Sequence, residues 1–275
     1  MLKHTFCHLP GVGIKTERRF WDGGLSCWED LGDTATVGLS PGKADLLRER
    51  LAWSRDKLDS RDPAYFSSLL PGGEQWRLFQ EFRDSIAFLD IETTGLGNAG
   101  DHITSIAIYD GKGIHHFVHG INLDDFVDTI TAYSLLVTYN GKCFDVPWLE
   151  QHFGIELPAA HIDLRYLLKS LGYSGGLKRC ETQMGLDRGE LAGIDGYFAV
   201  RLWHDYQQHD NQGALETLLA YNIQDVLTLE ELLVMAYNQK LAKTPFAGAL
   251  SLSQPTLPPN PFKADHRTVN RLLSY

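Results

Sequence analysis

Asp90 and Glu92 stand two residues apart at the end of an apolar run, in Leu89-Asp90-Ile91-Glu92-Thr93-Thr94-Gly95-Leu96. In a strand, that spacing puts both carboxylates on one face. There they repel each other and, near a core, lose hydration. Hard divalent cations remove this cost, because carboxylate oxygens are the ligands that Mg²⁺ and Mn²⁺ prefer. Asp-x-Glu at an exposed strand end is common, so the stretch decides little alone. A third carboxylate follows a turn in Tyr139-Asn140-Gly141-Lys142-Cys143-Phe144-Asp145, where Asp145 reads equally well as a helix cap. A fourth closes Tyr221-Asn222-Ile223-Gln224-Asp225. Tyr221 and Asp225 are i, i+4 on a helical pattern and share a face. An aspartate beside an apolar stripe needs a partner. Together Asp90, Glu92, Asp145 and Asp225 form a set able to hold two divalent ions, an arrangement used for in-line phosphodiester cleavage. Tyr221 would hold the attacking water through its hydroxyl.

The surrounding pattern must bring these stretches to one place. Residues 86–91, 103–109 and 114–119 read as three strands, with Gly111-Lys112-Gly113 as a hairpin turn. Next come a helix over 122–133 with Asn122 as N-cap, a fourth strand over 135–139 and a helix over 145–153. A short strand over 159–164 precedes helices at 164–171, 177–185, 197–209 and 212–241. In the last of these, Leu215, Leu219, Asn222, Val226, Leu229 and Leu233 make one stripe. The order βββαβα followed by helices predicts an α/β domain over 85–242, a mixed sheet flanked by helices on both sides.

Residues 1–84 are expected to form a small helical region. Leu9-Pro10-Gly11-Val12-Gly13 is a tight turn before a short helix, which Gly23-Gly24 ends, and Trp28 begins the next. This looks like a helix-hairpin-helix element that offers backbone N–H groups to a phosphate, with Lys15, Arg18 and Arg19 just downstream. The competing reading is a helical hairpin that buries Phe20, Trp21 and Trp28. Residues 42–58 read as an amphipathic helix with Leu46, Leu47, Leu51 and Leu58 on one side, and 76–82 as a short helix. Residues 243–275 carry Pro255, Pro258, Pro259 and Pro261 and are expected to be an extended or disordered tail.

The chain has 275 residues, 43% apolar, enough for one large or two smaller domains. Its four cysteines form no CxxC pair, so zinc ribbons and redox motifs are not expected. Reduced thiols, no apolar run long enough for a membrane and no signal-like start place the expected protein in the cytoplasm. A net charge of −10 argues against binding nucleic acid by bulk electrostatics. It does not argue against a nuclease whose acids are neutralised by metal.

Residues 86–241 resemble the RNase H-like 3′–5′ exonucleases with an Asp-Glu-Asp-Asp metal set, whose relatives include polymerase proofreading domains and RNase D. Asp90-Ile91-Glu92-Thr93-Thr94-Gly95 is similar to the first motif, Asn140 with Phe144-Asp145 to the second, and Tyr221-x-x-x-Asp225 to the third in its tyrosine form. The histidine form would need histidine at position 220, which is Ala220. Gly175-Gly176-Leu177-Lys178, Leu202-Trp203-His204-Asp205-Tyr206 and the N-terminal Pro-Gly-x-Gly stretch look like a bacterial branch of predicted exonucleases.

The resemblance implies a metal-dependent exonuclease acting on the 3′ end of single-stranded nucleic acid, DNA slightly favoured over RNA, with two Mg²⁺ or Mn²⁺ ions. It implies catalytic roles for Asp90, Glu92, Asp145, Tyr221 and Asp225. Thr93, Thr94 and Leu96 would meet the terminal nucleotide, and Asn140 the scissile strand or its own loop. Phe144 suits both base stacking and burial, and Lys178 both a phosphate contact and a solvated helix start. Asp163 is read as a helix cap, and His115, His116 and His119 as a strand end. A duplex contact through residues 10–19 and an unidentified protein partner are further expectations. The alternatives are a structure-selective endonuclease and a non-catalytic nucleic-acid-binding protein.

Overall fold

The computed structural model describes residues 1–31, 39–191 and 193–274. Five strands build the sheet: β1 Ile86–Thr93, β2 Ile103–Tyr109, β3 Ile114–Val118, β4 Leu135–Thr138 and β5 Ala160–Asp163. Their order is β3-β2-β1-β4-β5. β1 pairs antiparallel with β2 and parallel with β4, and β4 pairs parallel with β5. The central strand β1 is therefore covered by ladders on both edges. Its residues are all buried except Asp90 and Glu92, which are half-buried. Period-2 alternation sends Phe88 into the core on one face and Ala87, Leu89 and Ile91 into the core on the other. Asp90 and Glu92 continue the Phe88 face, where the sheet's apolar lining ends.

The helices, numbered along the chain, begin with α1 Ile14–Asp22, α2 Pro41–Asp59 and α3 Pro63–Leu69 in the N-terminal region. Then come α4 Phe126–Ile130, α5 Asp145–Phe153, α6 Leu164–Lys169, α7 Leu177–Met184, α8 Gly196–His209 and α9 Gln212–Leu241. α4 and α5 cover the Leu89 face through Phe126, Ile130 and Leu149. α9 lies on the opposite face, against β1 and β2. It is buried on nearly every side, because α8 and the end of the chain cover what the sheet does not. The stripe Leu215, Leu219, Asn222, Val226, Leu229 and Leu233 is buried throughout.

Residue 84 does not separate two cores. Phe6, Trp28, Phe66, Trp76 and Phe82 belong to one buried cluster with Phe88, Val137, Ile162, Ile223 and Leu233. Glu17 fixes the N-terminal part. It is fully buried, accepts the Phe6 and Cys7 N–H groups, and pairs with Arg77 on both oxygens. The expected helix-hairpin-helix is only partly present: a single 3₁₀ turn, Leu2–His4, precedes the Leu9–Gly13 turn. Phe20, Trp21 and Trp28 are buried, and both indoles donate to backbone carbonyls, of His4 and Thr5. The helix expected from Trp28 begins as a 3₁₀ turn, Trp28–Asp30, and its continuation over 32–38 lies outside the described residues.

Five local expectations are corrected. Asn122 caps no helix through its side chain. Its amide is taken by Val118 N–H and His116 C=O, so it clamps the end of β3. The helix over 122–133 is a 3₁₀ turn, Leu123–Asp125, continued by the short α4. Leu46 of α2 points outward while Leu47, Leu51 and Leu58 are buried. The 76–82 helix starts earlier, as a 3₁₀ helix over Gly72–Leu78. Finally, the tail carries two helices, α10 Ala247–Leu250 and α11 His266–Leu273. Pro255, Pro258, Pro259 and Pro261 lie in the extended part between them. Asn260 donates to the Ala220 carbonyl, Arg271 pairs with Asp205, and Leu272 is buried, so the tail straps α8 and α9.

Candidate active site

The open end of β1 faces α9 across a cleft of about 250 Å³, lined by Asp90, Glu92, Asp145, Tyr221 and Asp225 among others. One oxygen from each of Asp90, Glu92 and Asp225 lies within 4.8 Å of the other two. α9 supplies Asp225, and Tyr221 one turn earlier; both are buried. Asp145 opens α5 and lines the same cleft, but its Oδ1 accepts the Ile91 N–H at 3.2 Å. Burial pushes the Asp90 and Glu92 carboxyls well above the usual range, and Asp225 beside them adds to it. Burial also pushes Asp145 up to about 7. The Tyr221 phenol is raised by burial and by Asp225.

A hydrogen-bonded chain holds Asp90. Asn222, fully buried, donates to Asp90 Oδ2 at 2.7 Å, and its own carbonyl oxygen accepts from Ser105 Oγ at 3.0 Å. Ser105 is the β2 residue opposite Glu92. The turn before α5 is fixed from the other side. Asp163 Oδ1 accepts the Asn140 N–H at 2.8 Å and the Arg165 N–H at 3.0 Å, and Oδ2 accepts the Lys142 N–H. Asp163 is thus the expected helix cap and also a clamp on the loop that delivers Asp145. Asn140 adopts φ 69°, and its side chain accepts from Arg165.

Two cations stand on Asp225. Lys178 of α7 donates to both carboxylate oxygens, and Arg188 donates to Oδ1. Arg188 is held in turn by Glu181, at 2.8 and 2.9 Å. Lys178 Nζ also lies 4.1 Å from the centre of the Tyr221 ring. In this state Lys178 is a carboxylate partner, neither a free phosphate contact nor a solvated helix start. Phe144 is half-buried, 6.1 Å from the Trp148 ring, and lines the cleft. Thr93 is buried and donates to the Gly95 carbonyl; Thr94 Oγ1 accepts the His102 N–H. Leu96 is 87% exposed.

The donor set fits divalent metal. It is all oxygen and crowded with like charge in a desolvated cleft, where burial and mutual repulsion hold Asp90 and Glu92 well above the usual carboxylate range despite Lys178 and Arg188 nearby. Asp90, Glu92 and Asp225 are placed to hold an ion together, and Asp145 stands at the edge of the same cleft.

The model of the RNase H superfamily matches residues 87–237, more than half of the chain. The chain belongs to the RNase H superfamily. Members of this superfamily are mostly metal-dependent nucleases. Among solved structures, the chain is similar to the family B DNA polymerase of the hyperthermophilic archaeon Pyrobaculum calidifontis. There the identity is 17% and the TM-score 0.44, over 61% of this chain and 27% of the polymerase. It is also similar to Brucella melitensis NrnC, at 18% identity and TM-score 0.39, over 60% of this chain and 78% of that one. The chain thus spans about a quarter of the polymerase's length. No curated protein matches it. In this RNase H domain, sequence reasoning missed Arg188, Glu181 and Ser105, and treated Asn222 only as part of an apolar stripe. A polar residue inside that stripe was the available signal; Arg188 follows a helix end in no recognisable motif.

Proposed function

We propose that the protein is a metal-dependent 3′–5′ exonuclease of the Asp-Glu-Asp-Asp type in its tyrosine form, acting on single-stranded nucleic acid, with DNA favoured over RNA. The observation that carries this is the Asp90–Glu92–Asp225 group beside buried Tyr221, with Asp145 in the same cleft. Asp90, Glu92, Asp145 and Asp225 are the residues to hold two Mg²⁺ or Mn²⁺ ions. When bound, such ions activate water and stabilise charge on phosphoryl oxygens.

The chain's own residues supply the rest. Tyr221 orients the attacking water by its hydroxyl; its raised pKa keeps it a proton donor. Asn222 fixes the direction in which Asp90 presents its free oxygen. Lys178 is more exposed than Arg188 and has no second carboxylate holding it, so with metal bound it would be the cation to leave Asp225 and meet a phosphate oxygen. Arg188 stays, because buried Glu181 anchors it. Thr93 and Thr94 shape the backbone bend that leads to Leu96, whose exposed side chain separates the terminal base from its neighbour. Asn140 and Phe144 flank the strand from the opposite wall.

The test is degradation of 5′-labelled and 3′-labelled single strands of DNA and RNA with Mg²⁺, Mn²⁺ or EDTA, beside an Asp90→Ala, Asp225→Ala variant. A metal-dependent ladder shortening the 5′-labelled strand, absent in the variant, is expected. Discrete internal cuts would replace this reading with an endonuclease. Loss of both cleavage and metal binding would leave a nucleic-acid-binding protein.

A further inference from the structure

Away from the acidic cleft, the corner between α1 and the end of α9 gathers cations. A pocket of about 100 Å³ is lined by Arg18, Arg77, Lys240 and Lys243 and by one carboxylate, Glu74, with Trp21 and Trp76 in its walls. Arg77 is already satisfied, paired with buried Glu17 and with Glu74. Glu74 is likewise engaged, by Arg77 and by the Trp76 indole. Lys240 donates to the Gly73 carbonyl at 3.2 Å and faces no carboxylate within ion-pair distance among the described residues. Arg18 and Lys243 also form no ion pair among the described residues, although Asp22 stands one turn beyond Arg18.

The charges do not balance. Glu17, Glu74 and Arg77 sum to −1, while Arg18, Lys240 and Lys243 add +3, leaving the pocket at +2. Burial lowers the Lys240 pKa; Glu74 opposes the shift, while Lys243 and Arg77 add to it. In a chain of net charge −10, this pocket keeps a local excess of positive charge that Glu17 and Glu74 offset only in part. Phosphate fits the charge, and its oxygens match the guanidinium and ammonium donors.

We propose that this pocket binds a backbone phosphate of the same nucleic-acid strand whose end enters the acidic cleft. The inference rests on the nuclease reading and adds a second, remote contact to it. Lys240 lies fifteen residues beyond Asp225 on the unbroken helix α9. At 1.5 Å per residue the two are separated by about 22 Å along the axis. At about 100° per residue, Lys240 returns to within roughly 60° of the side that carries Asp225. A strand kept stacked at the B-form rise of about 3.4 Å per nucleotide covers that distance in about seven nucleotides, and a more extended single strand in fewer. The pocket therefore gives an advantage to strands longer than this, and it reads no sequence, because it touches phosphate alone.

The experiment is fluorescence anisotropy with labelled deoxythymidine strands of four and twelve nucleotides. It is run with Mg²⁺ in an Asp145→Asn background, which keeps the Asp90–Glu92–Asp225 group. The readout is the ratio of the two affinities and its salt dependence. Arg18→Ala with Lys243→Ala is expected to lower that ratio about five-fold at about 0.1 M salt, and to reduce the salt slope for the long strand by about 0.7, the value for one phosphate contact. Arg18→Lys with Lys243→Arg, which keeps both charges, is expected to retain the ratio. An unchanged ratio and slope in the alanine variant, with both strands still bound, would overturn the pocket and leave the nuclease reading standing. Failure of the parent protein to bind either strand would overturn both.

Discussion

Arg188 joins Asp225 to Glu181: one of its amino groups donates to Asp225 Oδ1, the other to both oxygens of Glu181. Burial alone would lower the arginine's pKa, but the two carboxylates hold it above its ordinary value. The aspartate that α9 delivers to the cleft is therefore backed by a fixed cation, itself fixed by an acid from α7. Breaking this unit leaves charge behind. Arg188→Met strands Glu181, 1% exposed, and removes the buried partner of Asp225. A loss of about 3–5 kcal/mol is expected, read from urea denaturation without metal. Adding Glu181→Gln should recover part of it. A variant as stable as the parent would show that Arg188 does not hold Asp225 in place.

Lys178 plays a different part. It is about a third exposed, and its ammonium occupies the Asp225 oxygens that an ion would take. Lys178→Met should therefore tighten Mn²⁺ binding by up to about five-fold in calorimetry, since the ion no longer displaces an ion pair of modest strength. Turnover should fall in the same variant, because the phosphate contact is gone. Weaker metal binding would mean that Lys178 supports the site and does not compete for it.

The reach of sequence reasoning tracks the range of the interactions involved. β1, α5 and α9 were legible because their patterns are local: alternation around Leu89 and Ile91, a turn before Asp145, and helical spacing from Leu215 to Leu233. The acids were legible because i, i+2 and i, i+4 spacings fix a shared face. What stayed hidden depends on contacts between distant segments. Arg188 meets Asp225 only because the loop after α7 folds back over α9. The Asn122 amide, a plausible cap by type, is claimed by β3. The tail looked unstructured by composition, yet Arg271, Leu272 and Asn260 find partners on α8 and α9. The N-terminal region looked separate, but Phe6 and Trp76 complete the core under Phe88.

Asn222 offers the clearest separation of positioning from ligation. It touches Asp90 and Ser105 and is fully buried. Asn222→Ala removes the donor that orients Asp90 while keeping every carboxylate. Metal affinity is expected to fall 10- to 100-fold, as for other outer-shell partners of a metal ligand. Asp90→Asn should behave otherwise: it relieves repulsion from Glu92 and Asp225, raises thermal stability without metal, and abolishes the metal-induced rise in Tm. A metal-induced rise that survives Asp90→Asn at full size would remove Asp90 from the metal set.

His161 links pH to the loop that carries Asp145. It lies on β5, and its Nε2 is 2.8 Å from Thr138 Oγ1, which also accepts the Gly141 N–H at the turn. With Gly141 donating to it, the threonine hydroxyl is placed to donate its own proton to a neutral imidazole. Burial, with Lys142 nearby, lowers His161 to about 3 from its ordinary 6.5. The unfolded chain thus takes up a proton that the folded chain refuses. Stability from this group is complete above pH 6.5 and is lost as the pH falls from there towards 3. The loss amounts to roughly 2 kcal/mol by pH 5. His8, lowered by burial to about 4, acts in the same direction elsewhere in the core. The acids of the cleft act in the opposite direction, because their raised carboxyls bind protons more readily in the folded chain. A comparison that cancels both is needed. His161→Gln keeps a polar partner for Thr138 and does not titrate. Between pH 7.5 and pH 5, the parent should lose roughly 2 kcal/mol more in urea denaturation than His161→Gln does. Equal losses would show that His161 is protonated in the folded state and that the Thr138 contact survives the charge.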